Sequence, residues 1–152
     1  MRVAVGSDHR GLELKNAIRD IIERAGHDCD DFGCHNSSSV DYPDYAEKVA
    51  RAVVGGKYQR GILVCGTGIG MSIAANKVRG ARAALCHNIF TSRRARQHND
   101  ANILCLGRDV IGEQLAQEMV QEFLSTGFEG DRHKQRIDKM IVIENSESRI
   151  SE

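Results

Sequence analysis

Short apolar runs bounded by glycine alternate along this chain with longer segments whose apolar residues recur every three or four positions. Nothing else in the sequence restricts the fold so strongly. A run of about five apolar residues suits a strand buried on both faces, and such strands belong to parallel sheets covered by helices. Arg2–Gly6 (RVAVG) and Gly61–Cys65 (GILVC) are the clearest runs, and Leu12, Leu14, Ile18, Ile21 and Ile22 form the first helical stripe, closed by Gly26. Further strands are expected at Asp28–Phe32, Ala81–Cys86 and Asn102–Leu106. Helices are expected at Asp44–Val54, Met71–Lys77, Ile89–Gln97, Glu113–Leu124 and Asp131–Glu144. The pattern predicts an α/β fold: a three-layer, open, five-stranded parallel sheet of Rossmann-like type, with helices on both faces and a C-terminal helix. With a sole proline and no repeat, residues 1–144 are expected to form one domain and 145–152 a polar, frayed tail.

The chain has 152 residues, with 21 Lys plus Arg against 21 Asp plus Glu. That balance excludes a broadly basic nucleic-acid binder, and no apolar run approaches the ~20 residues of a membrane span. The start, MRVAVGSDHRG, is too briefly apolar for a signal peptide, so a cytoplasmic protein is expected. Five cysteines with no Cys-x-x-Cys point to free thiols rather than a disulfide framework. Yet Gly61–Asn99 contains Lys77, Arg79, Arg82, Arg93, Arg94 and Arg96 and no acid, whereas Ala25–Glu47 carries six acids and no base. The first stretch suggests a local positive field suited to a small anion, or else a solvated face balanced by the second.

In an open parallel sheet, ligands bind beyond the carboxyl ends of the strands, where strand order reverses. The unusual residues cluster at those ends: Ser7-Asp8-His9, Cys65-Gly66-Thr67-Gly68-Ile69-Gly70, Cys86-His87-Asn88 and Gly107-Arg108. If order reverses between the first and third strands, Asp8, His9, Cys65 and Thr67 share one crevice. The loop Gly66–Gly70 can turn backbone N–H groups toward an anion, or its glycines can serve a tight turn for steric reasons alone. It is neither a Walker A loop nor a dinucleotide fingerprint, since Met71 stands where a third glycine would be. Cys65, just before a helix start, is placed where thiolate is favoured. Cys29, Cys34, Cys86 and Cys105 read as small buried hydrophobes. The run His27–His35 mixes His, Cys and Asp, but its Cys-x4-Cys spacing is a weak metal signature, and neither metal nor cofactor is expected. His98-Asn99, just before a strand, offers a general acid. Asp131 is a candidate N-cap that sets Arg132, His133 and Lys134 in the first helical turn. Cations there oppose the dipole, so Arg132 and Arg136, four residues apart, suggest a bound phosphate, or else a solvated basic face.

Five segments together resemble the ribose-5-phosphate isomerase B / galactose-6-phosphate isomerase family: Gly6–Gly11 (GSDHRG), Tyr42–Tyr45 (YPDY), Cys65–Lys77 (CGTGIGMSIAANK), His98–Arg108 (HNDANILCLGR) and Arg132–Arg136 (RHKQR). The resemblance implies a metal-free aldose–ketose isomerase interconverting D-ribose 5-phosphate and D-ribulose 5-phosphate. It makes Cys65 the base that moves a proton between C2 and C1. Some relatives use a loop glutamate, which Met71 and Ser72 do not provide. It makes His98 the acid that opens the sugar ring, with Asp8 and Thr67 handling hydroxyl protons. Phosphate contacts map onto His9, Arg132 and Arg136, with Arg108 close by. Tyr42, Gly66, Gly68, Ile69, Gly70, Ser72 and Asn99 complete the expected substrate contacts. The resemblance also implies a homodimer, or a tetramer, whose site is shared across the interface, with His98, Asn99 and Arg108 serving the neighbouring pocket. Where the family commonly reads Asp-His-Ala-Gly, this chain has Arg10.

Two other readings stand beside this one. An allose- or galactose-6-phosphate isomerase would share the chemistry, although the galactose enzyme usually needs two unlike chains. A phosphate- or nucleotide-binding regulatory module would need an acidic pair near the first strand and a lysine after the fifth, where this chain has Ser7-Asp8 and Gly107-Arg108.

Overall fold

The computed structural model describes residues 1–147. Its elements run β1 (Arg2–Ser7), α1 (Leu12–Arg24), β2 (Asp28–Asp31), α2 (Tyr42–Val54), β3 (Arg60–Cys65), α3 (Ile69–Ala75), β4 (Ala83–Leu85), α4 (Ile89–Asn99), β5 (Ile103–Gly107), α5 (Glu113–Ser125) and α6 (Asp131–Glu147). All four strand pairings are parallel, in the order β2-β1-β3-β5-β4. From β1 the chain steps outward to β2, and from β3 it continues on the other side. The reversal therefore falls between β1 and β3, as the shared crevice requires.

The central strands β1, β3 and β5 are almost wholly buried, while the edge strands β2 and β4 are only half-buried. That explains how the polar sequence Asp28-Cys29-Asp30-Asp31 becomes a strand: an edge position needs one neighbour and tolerates solvent. One face packs Val3, Val5, Ile62, Val64, Leu104 and Leu106 under α1, α4 and α5. The other packs Ala4, Leu63, Cys65, Ile103 and Cys105 under α2 and α3. Strict alternation along β3 thus puts Cys65 on the α2–α3 face.

Several element ends differ from the sequence expectation by one to three residues, and those of β4 and α6 have local reasons. At the start of β4 side chains take the amide donors: the Arg82 amide donates to Asn102 Oδ1 and the Ala83 amide to Asn76 Oδ1, each at 2.8 Å, while the Arg82 carbonyl still accepts from the Asn102 and Ile103 amides. The first turn of α6 closes on the Gly130 carbonyl, which accepts from the His133 and Lys134 amides, and not on a cap by Asp131, whose φ is 45°. At its other end α6 runs on to Glu147, with the Ser146 hydroxyl donating to the Ile143 carbonyl at 2.7 Å. The first three residues of the expected tail are therefore helical, and 148–152 lie outside the described residues.

Candidate active site

A cleft of about 240 Å³ opens at the β1/β3 reversal, lined by Asp8, Arg10, Tyr42, Cys65, Gly66, Thr67, Gly70 and Asp109. Each element delivers its part through a close backbone approach. Asp8 follows β1, and its Oδ1 accepts from the Arg10 and Gly11 amides at 3.0 Å each, which fixes the carboxylate at the head of α1. Gly68 holds φ +78°, a conformation that L side chains rarely adopt, and this turn folds the loop back over the end of β3. Its amide then points at Cys65 Sγ, 3.1 Å away, so the buried sulfur sits in the path of an N–H donor. Thr67 Oγ1 accepts from the Ile69 amide at 3.3 Å. Tyr42, the first residue of α2, lays its ring against Gly70, where a Cβ would come within 2.6 Å of it.

The cleft also holds two residues that the sequence reading left without a role. Arg10 and Asp109 form an ion pair across Gly66, whose missing side chain leaves room for both. The Arg108 and Asp109 amides donate to the Cys65 and Gly66 carbonyls at 2.9 Å each, which ties the loop after β5 to the loop after β3. Arg108 itself pairs with Glu13 at 3.6 Å and with Asp109 at 3.5 Å. Asp109 could have been found by the rule that singled out Arg108, because it too follows the carboxyl end of a strand. Of the remaining expected contacts, His9 Nδ1 accepts from the Val40 amide at 3.2 Å, whereas the Ser72 hydroxyl donates to the Ala83 carbonyl at 3.4 Å, at the amino end of β4. Ile69 is exposed.

The other expected residues lie elsewhere. Along β3 and β5, Gly61 is level with Ile103 and Cys65 with Gly107. Helix α4 delivers His98 and Asn99 just before β5 begins, so they stand at the amino edge of the sheet. Four strand steps separate the two edges, about 13 Å. Arg132 and Arg136 keep company with His98, since His133 between them stacks on its ring at 4.1 Å. Within one chain, then, Cys65, Asp8, Thr67, His9 and Arg108 share one end, and His98, Asn99, Arg132 and Arg136 share the other. A larger hollow of about 690 Å³, lined by Met1, Ile21, His27 and Glu118 among others, also lies at the amino edge, without a nucleophile or a glycine loop.

Much of the positive charge in the acid-free stretch is balanced in space by acids from outside it. Arg82 and Arg96 pair with Asp100 at 2.9 and 2.8 Å, and Arg93 pairs with Glu122 at 2.7 Å. Arg94 also lies 4.0 Å from Glu129, so acids beyond the stretch pair with at least four of its six bases. In the metal-like run, Asp30 is taken by Arg2 and the Tyr58 hydroxyl, each at 2.6 Å, and Asp31 by Lys15.

The cysteines differ in their surroundings. Burial, helped by Glu23 and Asp31, pushes Cys29 up to about 12; burial pushes Cys86 up to about 11 and Cys105 well above the usual thiol range. At pH 8 the thiolate fractions of Cys29 and Cys86 are then about one in ten thousand and one in a thousand. Iodoacetamide at that pH is expected to leave both unmodified over minutes, as peptide mass spectrometry would show; rapid labelling of either would contradict these environments.

A parallel sheet with a thiol, a carboxylate and a glycine loop converging at its reversal point defines an α/β enzyme acting on a small polar molecule. The sequence profile of the Ribose/Galactose Isomerase family matches residues 3–140, and the chain belongs to that family. The chain is 44% identical over 143 residues to ribose-5-phosphate isomerase B of Escherichia coli, covering 94% of this chain and 96% of that one. It is 41% identical over 148 residues to D-erythrulose-4-phosphate isomerase of Pectobacterium atrosepticum, covering 97% of each. The structure of ribose-5-phosphate isomerase B from Clostridium thermocellum superposes with a TM-score of 0.95 at 50% identity, covering 96% of this chain and 99% of that one. The protein is a sugar-phosphate isomerase.

Proposed function

We propose that the enzyme interconverts D-ribose 5-phosphate and D-ribulose 5-phosphate through an enediolate, with Cys65 as the base. The observation that carries this reading is the Gly68 amide, 3.1 Å from Cys65 Sγ at the floor of the cleft. That donor fixes the sulfur at the cleft floor, where as a thiolate it can take the C2 proton of the open-chain aldose and return it to C1. Asp8 and Thr67 pass the hydroxyl proton between O1 and O2. The amides of Gly68 and Ile69 are engaged within the loop, so the reading assigns the enediolate oxygens to those of Gly66, Thr67 and Gly70. One such donor is worth about 3 kcal/mol in the transition state.

His98 enters as the ring-opening acid from a second copy of the chain. The separation of His98 from Cys65 supports this, as does an exposed apolar surface on the elements beside the two half-sites. On α3, which starts at the glycine loop, Ile69 and Ile73 are exposed; on α6, which carries Arg132 and Arg136, Met140, Ile141, Val142 and Ile143 are exposed. A two-fold pairing that covers such surfaces would bring the partner's phosphate arginines along with its histidine. No helix among the described residues is long and apolar enough to cross a membrane; the reading is of a cytoplasmic homodimer.

Ketose formation from ribose 5-phosphate without added metal tests the reaction, and a panel with allose and galactose 6-phosphates tests the substrate. A higher kcat/KM for either hexose phosphate would overturn the pentose assignment. Shared sites make a further prediction. Inactive Cys65→Ala and His98→Asn subunits, mixed and allowed to exchange, should recover about a quarter of wild-type activity, since half of the dimers then hold one intact site. A mixture as inactive as its components would show that the two residues do not meet across an interface.

A further inference from the structure

We infer that Glu129 and Arg94 are positioning residues for His98, flanking its Nε2 so that Nδ1 is the atom that gives a proton to the sugar. This rests on the reading of His98 as the ring-opening acid. The Glu129 amide donates to the Gln97 carbonyl at 3.1 Å, which ties the loop before α6 to the last turn of α4. Glu129 Oε2 then stands 3.7 Å from His98 Nε2 and 3.5 Å from His133 Nε2. Arg94, one helical turn before His98, places Nη1 3.2 Å from the same Nε2 and 4.0 Å from Glu129 Oε1. The buried His133 ring lies on His98 with an angle of 11° between the planes. Burial first, then His98, Arg132 and Arg136, hold the His133 pKa below the usual histidine value against the pull of Glu129, so it serves as a neutral stacking partner. Among the described residues, His98 Nδ1 has no partner.

A cation and an anion at one ring nitrogen serve its different protonation states. Arginine does not give up its proton, so it can only donate to a bare Nε2, in the tautomer that carries its proton on Nδ1. Carboxylate can only accept, so Glu129 serves the imidazolium and also the neutral ring left once Nδ1 has lost its proton. In ring opening, the Nδ1 proton goes to the furanose oxygen as its bond to C1 breaks. The O1–H electron pair becomes the carbonyl π bond, and the O1 proton passes to Asp8. In the reacting imidazolium, Nε2–H faces Glu129 Oε2, 3.7 Å away, and keeps its proton while Nδ1 gives up its own, so the imidazole does not turn while it reacts. The atoms His98 Nε2, Glu129 Oε2 and His133 Nε2 have the spacing of a metal tripod. With Arg94 already at that nitrogen and the two rings parallel rather than convergent, the cluster suits proton handling rather than cation binding.

The test compares a substrate that must be ring-opened with one that cannot close. Ribose 5-phosphate is largely a furanose, whereas erythrose 4-phosphate has its O4 esterified and forms no such ring. The readout is the ratio of kcat/KM for the pentose to that for the tetrose, which a merely structural defect leaves unchanged. In Glu129→Gln this ratio is expected to fall about tenfold, and in His98→Asn about a hundredfold. A fall in His98→Asn with none in Glu129→Gln would overturn the positioning role alone. An unchanged ratio in His98→Asn would overturn the ring-opening reading itself, and the inference with it.

Discussion

Cys65→Ala is expected to lower kcat/KM for the aldose phosphate by about a hundred- to ten-thousandfold, the usual worth of a positioned general base. The protein should remain folded. Removing one buried sulfur costs about 1 kcal/mol, which for a chain of this size shifts Tm by roughly 2–4 °C. The two effects differ so much that loss of fold cannot account for loss of turnover. Phosphate-sugar binding should largely survive, because Asp8, Thr67, Tyr42 and the loop amides remain. Cys65→Ser makes a sharper comparison, since it keeps a group in reach of the Gly68 amide but offers an alcohol in place of a thiol. Wild-type-like turnover in either variant would exclude Cys65 as the base.

Lys15→Met should be the most destabilising conservative-volume substitution near the site. Lys15 is 1% exposed, and its Nζ donates to both Asp31 oxygens at 2.6 and 2.7 Å and to the Cys34 carbonyl at 2.6 Å. Removing one partner of a buried ion pair costs about 3–5 kcal/mol, because the other charge stays desolvated. In Tm that is roughly 6–20 °C. The lower end applies if Arg19, 3.7 Å from Asp31, moves in to compensate. Adding Asp31→Asn should recover at least half of the loss, since the amide oxygen can still accept from the Gly33 amide, as Asp31 Oδ1 does at 2.8 Å. A single variant as stable as wild type, or a double variant no better than the single, would refute this account. Activity should suffer as well. The loop that Lys15 holds exchanges backbone hydrogen bonds with Ser7, at 2.7 and 2.8 Å, immediately before Asp8.

Lys15 also illustrates what the sequence concealed. It falls inside an otherwise regular amphipathic helix, and nothing local marks it as buried. Its partner Asp31 sits in a run that reads more readily as a metal site or an acidic surface. Only the packing of α1 over the β1–β2 edge turns two surface-looking charges into a buried pair. The same holds for Arg82, Arg93 and Arg96, whose acids Asp100 and Glu122 lie just past the stretch or on another helix. Net charge over a window counts only neighbours along the chain, whereas ion pairs form between neighbours in space. Arg10 could be noticed as a departure from the family pattern, but its pairing with Asp109 could not, because the two are joined only through the β1 and β5 loop ends.

By itself, the sequence determined which segments are strands and which are helices, because periods of two and 3.6 residues and glycine stops are properties of the local backbone. It also determined the chemical parts, since the thiol, the glycine loop and the HNDAN stretch are contiguous motifs. Tertiary structure decided how these parts are distributed. The strand order β2-β1-β3-β5-β4 set Asp8 beside Cys65 and put Arg108 on the same rim. The α4-to-β5 connection left His98, Arg132 and Arg136 at the opposite edge, which four strand steps, about 13 Å, separate from the first. The physical reason is directional. In a parallel sheet every strand runs the same way, so a residue just before a strand and a residue just after its neighbour lie at opposite ends, however close their motifs look in sequence.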